Sequence, residues 1–135
     1  MSIRIQERGW GGHFIGASKC LFRRNTRIYT KTHVGFIIST VGNYFPDTVK
    51  SDRAEEIGYD RRYETMVFHC DPNDKLYHDA DVSGGELDFD GLKQADTHGC
   101  DNEANDMHEA MVGKWCQKLD SGDVPCYTGV MYDAT

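Results

Sequence analysis

The segment DADVSGGELDFD, residues 79–90, has the outline of a calcium-binding loop. Its first, third, fifth and twelfth positions carry oxygen-bearing side chains, and Gly84 occupies the sixth, where an EF-hand loop turns sharply. Two positions depart from that pattern. The twelfth is Asp90, one methylene shorter than the usual glutamate, and the eighth is the charged Glu86 where an aliphatic side chain normally enters the core.

The sequence around this segment also disagrees with a calcium loop, which needs a helix on either side. Pro72 and the β-rich KLYH precede the segment, and GLKQADTHG is a poor exiting helix. Two glycines between alternating segments are better explained by a hairpin turn at Gly84 and Gly85. We therefore expect the acidic side chains to lie at the surface, and we expect no bound metal and no cofactor.

Five cysteines and six histidines raise the possibility of a zinc site, but their spacing argues against one. His69 and Cys70 are adjacent in a predicted strand and so point to opposite faces. His108 and Cys116 are eight residues apart on a predicted helix, roughly 12 Å of rise, which is too far for one tetrahedral ion. The chain has no C-x₂-C pair.

A thiol enzyme remains a hypothesis at this stage. Cys20 could meet His13 or His33 across strands, and Cys100 could meet His108. The sequence has no Walker loop, no G-x-S-x-G elbow, no H-E-x-x-H helix and no dinucleotide-binding fingerprint. No local signature therefore assigns a catalytic residue.

Length and composition predict one compact domain spanning residues 1–135. The longest apolar stretch, residues 34–41, is too short to span a bilayer, and the N-terminus lacks the apolar core of a secretory signal. An odd, irregularly spaced set of cysteines is typical of reduced thiols, which favours the cytoplasm.

The net charge of −7 is unevenly distributed along the chain. Residues 1–53 have a balance of +6, and residues 54–135 have a balance of −13. Such asymmetry is typical of proteins that act through the electric field of their surface. The alternative is that basic and acidic strands neutralise each other once folded.

Hydrophobic periodicity predicts an α+β fold, an antiparallel sheet of five or six strands with one C-terminal amphipathic helix packed on it. Strands are predicted at 13–17, 20–30, 34–42, 63–70, 75–83 and 86–90. The helix is predicted at 101–122, with Asp101 as N-cap and Gly122 at its end. Its apolar stripe comprises Ala104, Met107, Met111, Trp115 and Leu119.

Several segments together resemble a family of small proteins found in bacterial genomes, phages and prophages. These segments are RGWGGHFIGASKCLFRRNT, STVGNY, YETMVF, DADVS and DNEANDMHEAMV, and they span residues 8–112. The resemblance implies no activity and no catalytic residues. It implies a small protein carried on a mobile element, a context in which genes often encode inhibitors of host defence such as anti-CRISPR proteins.

The acidic residues are compatible with that context. An inhibitor that occupies the nucleic-acid site of a host protein or ribonucleoprotein complex should present carboxylates to a cationic channel. We therefore predict a non-enzymatic binding protein of the host cytoplasm, with Trp10 and Arg23 as secondary contacts. The main partner-binding residues are predicted to be Asp71, Asp74, Asp79, Asp81, Glu86, Asp88 and Asp90.

A nucleic-acid-binding module is the alternative that the basic strand supports. Arg23, Arg24 and Arg27 lie close to Phe22 and Tyr29, a combination that supplies phosphate contacts and stacking surfaces. The net acidity of the chain argues against direct binding of a polyanion unless these arginines are well separated from the carboxylates.

Overall fold

The computed structural model describes residues 2–9, 13, 20–44, 63–92 and 100–127. Trp10 lies outside the described residues, and so does the strand predicted at 13–17 apart from His13. The polar connection at 45–62 and the chain beyond 127 lie outside them as well.

Five strands form one antiparallel sheet in the order in which they occur along the chain. They are β1 (Arg4–Glu7), β2 (Cys20–Tyr29), β3 (Phe36–Tyr44), β4 (Tyr63–His69) and β5 (Asp88–Leu92). One helix, α1 (Cys100–Ser121), follows the sheet. The predicted α+β fold, with the helix packed on an antiparallel sheet, is confirmed.

Alternation along the strands assigns each side chain to one of two faces. The helix face receives Thr26, Ile38 and Val67, which lie opposite one another across β2, β3 and β4. The opposite face, hereafter the second face, receives the residues one position away, such as Asn25, Ser39 and Met66. Because side chains alternate with a period of two, the register of the sheet determines which residues meet on each face.

The helix packs through the apolar stripe expected from its sequence. All five stripe residues are buried, and Trp115 lies against Phe36 with 5.0 Å between the ring centroids. Gly122 follows the helix with φ of 78°, which suits a residue without Cβ. The main core consists of Ile28, Phe36, Ile38, Val67, Met111, Val112, Trp115 and Leu119.

Gly35 forms the tight entry into β3 and tolerates no side chain. Its φ is +109°, and a Cβ there would lie 2.0 Å from the carbonyl oxygen of Ile28. The position requires glycine both for its backbone angle and for the close approach of two strands.

The prediction of a strand at 75–83 is wrong, as is that of a hairpin turn at Gly84–Gly85. Residues 72–73 and 75–77 are turns, and Val82–Gly84 form a short 3₁₀ helix that Gly85 follows. The Asp74 carboxylate accepts hydrogen bonds from the backbone N–H groups of Tyr77 and Asp79, so it holds this segment in a compact loop. Side-chain acceptors of this kind compete with strand pairing.

The edge strand β1 was not predicted from the sequence, because four residues carry too short an alternation to be recognised. It pairs with β2 from Arg4 opposite Tyr29 to Glu7 opposite Thr26.

Candidate functional site

The acidic segment, residues 71–90, consists of the loop after β4 and the first half of β5. Asp71 accepts a hydrogen bond from the backbone N–H of Asn73, and Asp74 accepts from two further backbone N–H groups. The loop is tied to itself by a bond from the Asp71 N–H to the Asp79 carbonyl, 2.6 Å. These carboxylates therefore shape the loop that displays them.

The next two predicted contact residues join this loop to other parts of the chain. Asp79 pairs with Arg8 at 3.2 Å, and its side chain is well exposed. Asp81 caps the 3₁₀ helix by accepting from the Ser83 N–H, and it also accepts from the hydroxyl of Tyr127 at 2.6 Å.

The predicted contact residues of β5 and its approach differ in exposure. Asp88 is partly buried under the helix, where it accepts from Trp115 Nε1 at 2.8 Å and pairs with Lys114 at 2.7 Å. Glu86 and Asp90 are exposed, and Asp90 accepts from the N–H of Gly91. Asp88 thus supports the packing of the helix, whereas Glu86 and Asp90 are free to meet a partner.

Hydrogen bonds favour the charged form of two carboxylates in the acidic segment, Asp74 and Asp81. Hydrogen bonds from the backbone at Tyr77 lower the pKa of Asp74, and those from Ser83 and Tyr127 lower the pKa of Asp81. Among the described residues, cations pair with only two of the seven predicted contacts, Asp79 and Asp88.

Exposed apolar side chains are interleaved with these carboxylates. Within the described part of the chain, six large hydrophobic side chains are exposed, and four of them lie between residues 71 and 90. Leu76 is 78% exposed and Tyr77 is 64% exposed, and Val82 and Phe89 are the other two. Aromatic and aliphatic side chains displayed together in this way are typical of surfaces that bind proteins.

The arginines of β2 are largely engaged within the protein. Arg24 pairs with Glu7 at 3.0 Å and with Glu109 of the helix. Arg27 donates twice to the Val34 carbonyl and lies over the ring of Tyr29 at 3.9 Å. Arg23, a predicted secondary contact, is partly buried on the second face opposite Val41. The neutralisation of basic by acidic segments foreseen from the sequence thus applies to Arg24.

Three of the described thiols, those of Cys20, Cys70 and Cys116, are poorly suited to nucleophilic chemistry. Burial raises the pKa of Cys20 and of Cys70 to about 11, and it also raises the pKa of Cys116. His13, a suggested base for Cys20, bonds to Ser39 and Glu64, and His33 accepts from the Gly35 N–H. No group of three potential ligands among His, Cys, Asp and Glu occurs in the described residues.

Two buried polar clusters were not foreseen from the sequence. The first, which we call the threonine–histidine chain, lies on the helix face and comprises Glu7, Thr26, His108, Thr40 and Thr65. His108 has no exposed surface, and its Nε2 and Nδ1 lie 2.7 Å from the hydroxyls of Thr26 and Thr40, respectively. The chain therefore connects the helix to four strands, β1 to β4.

Counting hydrogens determines the direction of every bond in this chain. Thr26 donates its only hydroxyl hydrogen to Glu7, so it must accept from His108 Nε2. A neutral His108 then accepts at Nδ1 from Thr40, and Thr40 in turn accepts from Thr65 at 2.6 Å. All these bonds point toward the Glu7 carboxylate, and protonation of His108 at Nδ1 would reverse the bond to Thr40, which would then have to donate to Thr65.

Burial, reinforced by Arg24, lowers the pKa of His108 from 6.5 to about 4. Between these two pH values, His108 is therefore protonated in the unfolded chain and neutral in the folded protein. This contribution to stability is complete above pH 6.5 and is lost as the pH falls toward 4. We expect the free energy of unfolding, measured by urea titration across this range, to fall by about 3 kcal/mol on account of His108.

His33 and His69, whose pKa values burial also lowers, add to the loss over the same pH range. The contribution of His108 is therefore the difference in pH dependence between the wild type and His108→Ala. Equal dependence in the two proteins would contradict the assignment.

The second cluster lies on the second face and consists of His13, Ser39 and Glu64. Ser39 Oγ is 3.0 Å from His13 Nδ1, and His13 Nε2 is 2.8 Å from Glu64 Oε1. Hydroxyl, imidazole and carboxylate in this order form an arrangement that can activate a nucleophile. Ser39 has no exposed surface, however, so in this conformation the cluster acts as an internal clamp between residue 13, β3 and β4.

The two clusters draw on the same three segments of the chain. His13 and Thr26 come from RGWGGHFIGASKCLFRRNT, Ser39 and Thr40 from STVGNY, and Glu64 and Thr65 from YETMVF. In the second and third segments, neighbouring residues point to opposite faces of the sheet and belong to different clusters.

The described structure defines an α+β domain in which one helix covers one face of a five-stranded antiparallel meander and an acidic, partly apolar segment lies exposed. Comparison with protein-family models, with curated proteins and with solved structures returns no match. Within the described residues, no helix is long and apolar enough to cross a bilayer.

Proposed function

We propose that the chain is a non-enzymatic binding protein that docks its acidic segment, residues 71–90, on a cationic surface of a host protein or ribonucleoprotein complex. The observation that carries the proposal is the interleaving of carboxylates with exposed Leu76, Tyr77, Val82 and Phe89. Carboxylates alone are compatible with a surface that only aids solubility. Exposed apolar side chains among them become buried when a partner binds, and protein interfaces depend on such buried contacts.

Charge and shape have separate roles in this proposal. The carboxylates attract a surface rich in arginine and lysine and orient the two proteins as they approach. The apolar side chains then exclude water from the contact and lengthen its lifetime. A partner whose cationic surface normally holds nucleic acid would be blocked by this docking.

On the basis of the resemblance to phage-borne proteins, we propose that the chain acts in the cytoplasm of a bacterial host, as an anti-CRISPR-like inhibitor of a defence complex. The alternative of direct nucleic-acid binding through β2 has less support, because Arg24 and Arg27 already have partners within the protein.

The proposal is tested by removing charge while keeping the hydrogen bonds of the loop. Asp71, Asp79 and Asp90 each accept through a single carboxylate oxygen, so asparagine can preserve their bonds. We expect a variant combining D71N, D79N, E86Q and D90N to lose at least tenfold in affinity for the proteins that the wild type captures from bacterial lysate. Mass spectrometry identifies those proteins, and biolayer interferometry measures the affinity.

The matched control neutralises four exposed acids elsewhere, E103Q, D106N, D120N and D123N, and so changes the net charge equally. It should bind as the wild type does, and an added oligonucleotide should compete with the wild type for the captured protein. Equal losses in both variants, or an absence of competition, would contradict docking through the acidic segment.

A further inference from the structure

β1 is an edge strand of the sheet, and no described strand pairs with its outer side. The Arg8 N–H donates to the Asn25 carbonyl, so the backbone groups of the even-numbered residues 4, 6 and 8 point toward β2. Those of Ile3, Ile5 and Glu7 therefore point away from the sheet. All four residues of β1 are exposed, and no described residue bonds to the outward backbone groups of Ile5 or Glu7.

An open edge of this kind is a template for another strand. Ile5 is 60% exposed on the helix face, next to a row of unpaired donors and acceptors. The edge carries Arg4 and Glu7, which are opposite in charge, and it belongs to the basic part of a chain that is acidic elsewhere. A second copy would therefore meet less repulsion here than at the acidic segment.

We propose that two copies of this chain associate through β1, antiparallel about a two-fold axis at Ile5, into one continuous ten-stranded sheet. The outward backbone groups require that odd-numbered residues pair with odd-numbered residues. This condition permits only a few registers, and they differ in which charged side chains face each other across the contact.

Three of the possible registers place like charges directly opposite each other. In a register centred on Arg4, the Arg4 residues of the two copies face each other. In one centred on Gln6, Arg4 of each copy faces Arg8 of the other, and in one centred on Glu7 the two Glu7 residues face each other. The register centred on Ile5 places Arg4 opposite Gln6 and Glu7 opposite Ile3. It also brings the two exposed Ile5 side chains into contact.

The groove beside β1 accommodates this register. It has a volume of about 450 Å³, and its lining includes Gln6, Tyr29 and the exposed Leu76 and Tyr77. The Arg4 of the second copy, opposite Gln6, would reach this groove beside the ring of Tyr77, which can receive a guanidinium; Glu7, Arg8 and Arg27 also line the groove. The association shares Leu76 and Tyr77 with the proposed function, but a monomeric variant keeps its acidic segment, so the two proposals are tested separately.

Sedimentation equilibrium at about 0.1 mM, far above a micromolar dissociation constant, should give twice the chain mass of 15.3 kDa. Ile5→Pro removes only an outward N–H, and Ile5→Lys opposes two lysines at the axis, so we expect both variants to be monomeric. Leu21→Lys makes the same change at an exposed leucine of β2 and should remain dimeric.

The register has its own test in a mixture of two variants. Ile5→Lys and Ile5→Glu should each be monomeric, and mixing them should restore the dimer, because each introduced charge then faces its opposite. Circular dichroism verifies that each variant folds. If Ile5→Pro does not fold, the oligomeric state of Ile5→Lys tests the proposal. A monomeric wild type, dimers that survive both Ile5→Pro and Ile5→Lys, or no recovery on mixing would overturn the proposal.

Discussion

Replacing Trp115 by alanine should lower the free energy of unfolding by about 5 kcal/mol, enough to unfold much of the protein at ambient temperature. Trp115 is 2% exposed and lies against Phe36 at the centre of the contact between helix and sheet. Its removal leaves a large apolar cavity and deprives Asp88 of a hydrogen-bond donor. Urea unfolding followed by far-ultraviolet circular dichroism measures the change.

Trp115→Phe separates the two causes. Phenylalanine fills most of the volume but donates no hydrogen bond, and Lys114 still pairs with Asp88, so we expect a loss of about 1.5 kcal/mol. A loss below about 1 kcal/mol for the alanine variant would show that the helix does not depend on this contact.

Replacing His108 by alanine should cost about 4 kcal/mol at neutral pH. The change leaves a cavity, and it removes one hydrogen bond each from the buried hydroxyls of Thr26 and Thr40. It should also reduce the loss of stability between pH 6.5 and 4, because the group whose pKa is lowered to about 4 is gone. Urea unfolding at both ends of that range measures the two effects together.

Gln117→Ala is the control for this variant, because Gln117 is exposed on the same helix. It should change the free energy of unfolding by less than about 0.5 kcal/mol and leave the pH dependence unaltered. A His108→Ala protein as stable as this control would contradict the threonine–histidine chain.

The elements of the fold were largely predictable because their signals are local. Trp115 and Leu119 repeat with the period of a helix, and residues 63–69 alternate with the period of a strand, so both elements and their buried sides followed from the sequence. The loop at 75–83 was mistaken for a strand because KLYHDADVS alternates weakly. The deciding interaction, Asp74 with the backbone of Tyr77 and Asp79, leaves no mark in that alternation.

The candidate site was predictable only in part. The sequence located the carboxylates of the acidic segment, but only the fold shows that they have different roles. Asp88 holds the helix, and Asp81 caps a turn and contacts Tyr127, whereas Glu86 and Asp90 remain available. The exposure of Leu76 and Tyr77 could not be read from residue type, because apolar residues are usually buried.

The sequence by itself determined the α+β class, the helix with its buried stripe and the acidity of residues 71–90, since each depends on neighbours along the chain. Only the tertiary structure decided which polar groups meet. His108 reaches Thr26 and Thr40 across 82 and 68 positions, and His13 reaches Glu64 across 51. These contacts depend on strand register, because a slip of one residue would turn every side chain of a strand to the other face.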